Sequence, residues 1–229
     1  MTEAVARNEN SAAVLTLAAK TQLAANNAKE AEALARRAIA AEPGSIDGYQ
    51  LLAQIYAVTH RLPEAQREYE QVLQRQPKSV MASTMVGILL QVQNKPDEAQ
   101  QRYEQTLQID PNAGVAANNL GWLLAERGGN LDIALQHART AVTAMPENGD
   151  AHDTLGWVYL KQGQPDLAIA SLKEAIEKVP ANPIFHYHLG LAYLKAGNKP
   201  QAKAALQQAL RLQPNFSNAG DARATLAKL

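Results

Sequence analysis

Apolar residues recur three and four positions apart in runs of about 14 residues, as in Leu155, Val158 and Tyr159 and then Leu167, Ile169, Leu172 and Ile176. On a helix of 3.6 residues per turn that spacing gathers them on one face and leaves the polar residues between them on the other. The pattern predicts amphipathic helices, and it predicts them in pairs. Within each pair the break falls on Asn26, His60, Asn94, Gly128, Gly163 or Gly197, residue types that tolerate a left-handed backbone. Pro63, Pro96, Pro165 and Pro200 stand where a second helix opens, a place where a missing N–H costs nothing.

A second set of prolines sets the period. Pro43, Pro77, Pro111, Pro146, Pro180 and Pro214 are 34, 34, 35, 34 and 34 residues apart, and each is expected to end a second helix and turn the chain into the next unit. Placing them at position 32 defines repeats at 12-45, 46-79, 80-113, 114-148, 149-182 and 183-216. Position 20 is then always alanine (Ala31, Ala65, Ala99, Ala134, Ala168, Ala202) if the fourth unit carries one inserted residue at Gly128-Gly129. Position 8 is Ala19, Ala53, Gly87, Gly121, Gly156 and Gly190. Small residues at both positions let two antiparallel helices approach to about 8–10 Å. Leu52, Tyr56, Tyr69, Leu155, Tyr159, Leu172, Leu189, Tyr193 and Leu206 fill the flanks as packing residues.

The Leu155-Gly156-x-x-Tyr159 core with Ala168, Ala175 and Pro180, and its copy Leu189-Gly190-x-x-Tyr193 with Ala202, Ala209 and Pro214, resembles the tetratricopeptide repeat. The resemblance covers about 12-216. It implies an all-α, right-handed α-solenoid of six helix-turn-helix repeats, with 217-229 as a C-terminal capping helix. In that cap Leu226 serves the last repeat and Asp221, Arg223 and Lys228 face water, as at a natural C-terminus. Departures occur at position 4 (Leu15, Tyr49, Ser83, Ala117, His152, His186), where the family's usual Trp is absent, and in the first repeat at Ala18 and Gln22. A weaker first repeat suits a unit with one neighbour, and residues 1-11 are expected to be a disordered lead-in. Asn118-Asn119-Leu120-Gly121-Trp122, Asp153-Thr154-Leu155-Gly156-Trp157 and Tyr187-His188-Leu189-Gly190 also resemble the closing repeats of bacterial envelope and exopolysaccharide-export scaffolds.

Composition narrows the function. The 22 basic and 22 acidic residues balance and intermingle, so no basic stripe exists to neutralise a phosphate backbone, and nucleic acid is not the expected partner. With no cysteine, disulfides, thiolate metal sites and a Cys nucleophile all fall away. No apolar run approaches the roughly 20 residues of a membrane span, and residues 1-11 carry no signal pattern. The chain reads as cytoplasmic as written, or as periplasmic if a longer chain carries an upstream anchor.

The candidate chemistry is thin. His186 and His188 are two apart on one helix and point to different faces, whereas a metal-binding pair needs a spacing of three or four. Asp150, His152 and Asp153 have no nucleophile beside them and read as solvated groove residues. Gly128-Gly129 lacks the Gly-Lys-Ser/Thr ending of a phosphate loop. Glu30, Glu32, Arg36, Arg37, Glu64, Arg67, Glu68 and Glu70 mix signs at helical spacing, as on a solvated convex face. No enzyme activity, cofactor or metal is expected.

The resemblance implies a concave groove lined by first-helix positions 2, 5, 6, 9, 12 and 13. Position 9 runs Lys20, Gln54, Ile88, Trp122, Trp157, Leu191, apolar from the middle onward. Met81 and Met85 extend that surface, and Asn118, Asn119, Asp150, Asp153, Tyr187 and His188 offer polar groups beside it. Met and Trp suit a surface that grips an apolar partner, although both tryptophans could instead pack between neighbouring first helices. A peptide-carboxylate clamp is disfavoured, because only Asn119 matches it and Asp150 and Thr154 follow. The expected function is a non-enzymatic scaffold for a protein partner, an amphipathic helix or extended peptide with apolar anchors. The alternatives are a self-assembling structural protein, hence a homo-oligomer, or an accessory domain of a larger enzyme or secretion complex.

Overall fold

A computed structural model describes residues 11–229, so the expectation for residues 1-10 lies outside the described residues. Among the described residues the regular structure is helical throughout: α1 (Ala12–Ala24), α2 (Ala28–Ala41), α3 (Ile46–Val58), α4 (Leu62–Arg75), α5 (Val80–Val92), α6 (Pro96–Ile109), α7 (Gly114–Glu126), α8 (Leu131–Ala144), α9 (Gly149–Lys161), α10 (Pro165–Lys178), α11 (Pro183–Lys195), α12 (Lys199–Leu212) and α13 (Ala219–Leu226). They fall into two compact units that part between Ile109 and Asp110. In each unit every odd-numbered helix up to α11 pairs with the one after it, and the second helix then packs on the first helix of the next pair in that unit.

The start and stop residues explain these boundaries. The turn inside each pair is closed by a left-handed residue: Asn26, His60 and Asn94 each at φ 59°, then Gly128, Gly163 and Gly197 at 68°, 73° and 78°. All six are the residues whose types predicted it. Asn148 and Asn182 cap their helices by accepting from the Ala151 and Ile184 amides at 3.1 and 3.0 Å. Second helices stop one residue short of the position-32 proline, since a residue before proline is pushed out of helical geometry. That proline's carbonyl then receives a ring from the next first helix: Tyr49 Oη to Pro43 at 3.3 Å, His152 Nε2 to Pro146 at 2.8 Å and His186 Nε2 to Pro180 at 2.8 Å. At three of the positions where the family's usual Trp is missing, a polar ring therefore ties one repeat to the next.

The crossings require their glycines. A Cβ on Gly87 would lie 2.5 Å from the Tyr103 ring, and one on Gly190 2.7 Å from Leu206 Cγ. Ala99, Ala134, Ala168 and Ala202 on the opposing helices are fully buried.

The tyrosines do more than pack. Arg36 donates to Tyr56 Oη, which donates to Glu32 at 3.1 Å, while Arg61 reaches the same carboxylate at 2.7 Å and stacks 4.2 Å over the Tyr56 ring. Burial raises the Glu32 pKa, but the bonds from Arg36 and Tyr56 and the arginine charges outweigh it and hold the carboxyl below its ordinary value. Glu32 was expected on a solvated face; it instead anchors a network between neighbouring repeats. Arg139 repeats the motif on Tyr159 at 3.1 Å.

At the far end Phe216 fills the space between Tyr187 and α13, whose Ala219 and Ala222 are buried. Asp221, Arg223 and Lys228 are exposed.

Candidate functional site

In the second unit the first helices α7, α9 and α11 lie side by side. Their position-9 residues and neighbours build an aromatic cluster. Trp122 from α7 and Trp157 from α9 stack with ring centres 5.7 Å apart and planes 25° apart. His188 from α11 approaches Trp157 to 4.4 Å and Trp122 to 5.7 Å, and Tyr187 continues the series to Phe216. Both indoles are half-buried. The Trp157 N–H donates to Glu126 at 2.7 Å, and Lys161 both pairs with Glu126 at 3.2 Å and sits 4.8 Å over the Trp157 ring. The two tryptophans thus pack on each other and still present surface to water.

Beneath them Asp153 accepts from His188 Nδ1, which lies 2.8 and 3.0 Å from its two oxygens. Asp153, Tyr187 and His188 are only 5%, 6% and 3% exposed. The expectation that these three offer polar groups to a partner is therefore corrected: the aspartate and histidine satisfy one another, and ring packing covers His188 and Tyr187. Asp150, one turn nearer the start of α9, reaches solvent. Packing around its carboxyl, and then the nearby Asp153, push its pKa above the ordinary aspartate value.

Asn118 and Asn119 are half-buried on α7. Asn118 Nδ2 reaches Asn119 Oδ1 at 3.5 Å, and Asn118 Oδ1 is buried without a hydrogen-bond partner. Leu191 packs into the terminal core with Tyr187 and Phe216. In the first unit Met81 is 44% exposed on α5, with Met85 and Ile88 half-buried on the same helix.

The Asp153–His188 pair was not legible beforehand, because its members occupy different repeat positions 35 residues apart. Among the described residues no three His, Asp or Glu side chains are grouped as a metal would require, and no helix is long and apolar enough to cross a membrane.

Two tetratricopeptide-repeat family models match the chain, one over residues 84–151 and 154–216 and the other over 22–86. The chain belongs to the tetratricopeptide-repeat family. No curated protein sequence matches it. Solved structures share the repeat fold: a chain of the APC/C hetero-tetramer Cut9-Hcn1 (TM-score 0.84, 17% identity, 99% of this chain and 44% of that one); PilW, a widely conserved type IV pilus biogenesis factor (0.76, 20%, 92% and 97%); and pilF of Pseudomonas aeruginosa (0.78, 17%, 96% and 99%). The chain thus spans less than half the length of the chain it matches in that hetero-tetramer. Tetratricopeptide repeats make this a scaffold for protein–protein interaction.

Proposed function

We propose that this tetratricopeptide-repeat protein works without catalysis, holding one segment of a partner protein, an amphipathic helix or extended peptide, against the α7–α9 face. The observation that carries the reading is the stacked, half-buried Trp122–Trp157 pair. Large rigid rings with an accessible surface dominate the energetics of such contacts. Asn118 and Asn119, half-buried beside them, supply amide groups for a bound backbone. Asp150 stands at the margin of this face. Met81, Met85 and Ile88 are proposed as apolar contacts belonging to the first unit.

A photo-crosslinking residue placed at Asn119 tests this, with the same probe at Arg67 on α4 as the comparison. Capture of one discrete protein from Asn119 and none from Arg67 is expected. Capture from Arg67 alone moves the site to the second-helix surface of the first unit. Capture of a second copy of the chain from Asn119, together with concentration-dependent light scattering, replaces the reading with self-assembly.

A further inference from the structure

At position 4 the second, fifth and sixth repeats place a ring on the carbonyl of the proline that ends the repeat before: Tyr49 on Pro43, His152 on Pro146 and His186 on Pro180. The Tyr49 ring is also covered. Arg75, at position 30 of the same repeat, lies 4.1 Å over it and donates to its hydroxyl at 2.8 Å. The third repeat has the same frame without the ring. Its position 4 is the buried Ser83, bonded to Thr106 at 2.7 Å, and no side chain among the described residues reaches the Pro77 carbonyl. Its position 30 is Ile109, left 37% exposed.

What remains is a hollow of about 510 Å3 among α4, α5 and α6 of the first unit, with Leu73, Pro77, Lys78, Ser83, Arg102 and Ile109 in its walls. Cavities of about 300–1,000 Å3 are the size that holds a ligand group. Leu73, Pro77 and Ile109 offer apolar surface. Lys78 and Arg102 bring two positive charges, neither in an ion pair among the described residues, and no described carboxylate lines the hollow. These cations discriminate between rings. They repel a histidine that gains a proton, whereas the face of a phenol attracts a cation, as the Tyr49 ring does with Arg75. A phenol also carries the O–H that a proline carbonyl accepts, and the same two charges favour a carboxylate beside it.

We propose that this hollow takes a tyrosine from a partner protein, presented next to an acidic residue. The ring fills in trans the place that Tyr49 fills in cis one repeat earlier. Its hydroxyl donates to the Pro77 carbonyl, its faces meet Leu73 and Ile109, and the neighbouring carboxylate pairs with Lys78 or Arg102. The site belongs to the first unit alone and does not rest on the reading of the α7–α9 face.

The probe is the peptide acetyl-Asp-Tyr-Asp-amide, titrated into the isotope-labelled intact chain while the Leu73 and Ile109 methyl resonances are followed. A segment with one anchor binds weakly, with a Kd of about 1 mM, so the titration extends several-fold beyond that. Saturating shifts at both residues are expected. Acetyl-Asp-Ala-Asp-amide, which lacks the anchor, binds about tenfold more weakly. Lys78→Glu weakens the tyrosine peptide by about threefold or more, and Ser83→Tyr, which returns a ring in cis, abolishes the response. If Ser83→Tyr fails to fold, Lys78→Glu decides in its place, since Lys78 is exposed. Methyl resonances that do not move overturn the proposal, as do equal affinities for the tyrosine and alanine peptides, an affinity unchanged by Lys78→Glu, a response that survives in folded Ser83→Tyr, or shifts confined to α7 and α9. Failure of the α7–α9 reading shows elsewhere, as no capture from Asn119, and leaves this titration as it is.

Discussion

Replacing Gly156 with leucine tests the packing logic at the centre of the second unit. A Cβ at that position would lie 2.6 Å from Leu172 Cγ, 3.0 Å from Leu172 Cδ2 and 3.2 Å from the Ala168 carbonyl oxygen. Leu172 is fully buried and the carbonyl belongs to the helix backbone, so relief requires α9 and α10 to separate. Overpacking of this kind costs about 1–3 kcal/mol. Leucine also removes the helix penalty of glycine, a gain of roughly 0.8–1 kcal/mol. Three further carbons must enter the same crossing, which places the steric cost at about 2–3 kcal/mol, the upper part of that range, and the net loss at about 1–2 kcal/mol. At about 2–4 °C per kcal/mol for a chain of this size, the thermal midpoint falls by about 2–8 °C. Gly220→Ala is the matched control, because nothing lies within 4 Å of its Cβ. There only the propensity gain acts, and the midpoint holds or rises. Melts followed by far-UV circular dichroism give both values. A Gly156→Leu protein that melts at or above the parent temperature refutes the close crossing.

Three more outcomes are expected. The Asp150 pKa is raised by burial and then by Asp153, and a group raised on folding adds stability only below its unfolded pKa, losing it as pH rises through the folded value. At neutral pH the ionised carboxylate is thus a liability: Asp150→Asn increases the urea midpoint there, with the difference closing below the ordinary aspartate range, and a lower midpoint at neutral pH contradicts this. Trp157→Ala weakens partner binding by about 2 kcal/mol or more in a titration, while Arg67→Ala changes it little; the reverse ranking rejects the proposed face. Asn130 accepts from the Asp132 and Ile133 amides at 2.9 and 3.2 Å, so Asn130→Ala costs about 1 kcal/mol of stability, read by urea unfolding.

Local rules made the fold legible, because each acts within one repeat and is written six times. A left-handed residue must be Gly, Asn or a tolerated substitute, a proline must sit outside the helix interior, and a crossing must be small; Gly163, Pro180 and Gly156 each follow from one such rule. The site was less legible because its contacts join different repeats. Periodicity placed Trp122 and Trp157 on neighbouring first helices, yet it could not say how far each ring turned toward the other. It assigned Asp153 and His188 to water because polar side chains usually face it, whereas their mutual bond allows burial. Tyr56, given only a packing role, holds a carboxylate and the Arg36 guanidinium through a hydroxyl that no apolar pattern records, and carries the Arg61 guanidinium over its ring.

The turn after α7 has a consequence for building with this protein. Its four residues, 127 to 130, replace three in each of the other turns inside a pair, yet α7 and α8 keep the 13 and 14 residues of their counterparts. Nature has already lengthened the chain there and left every later helix in step. A foreign epitope or reporter spliced between Gly129 and Asn130 would occupy a socket opened by that earlier insertion, leaving the helices on either side to be read as before.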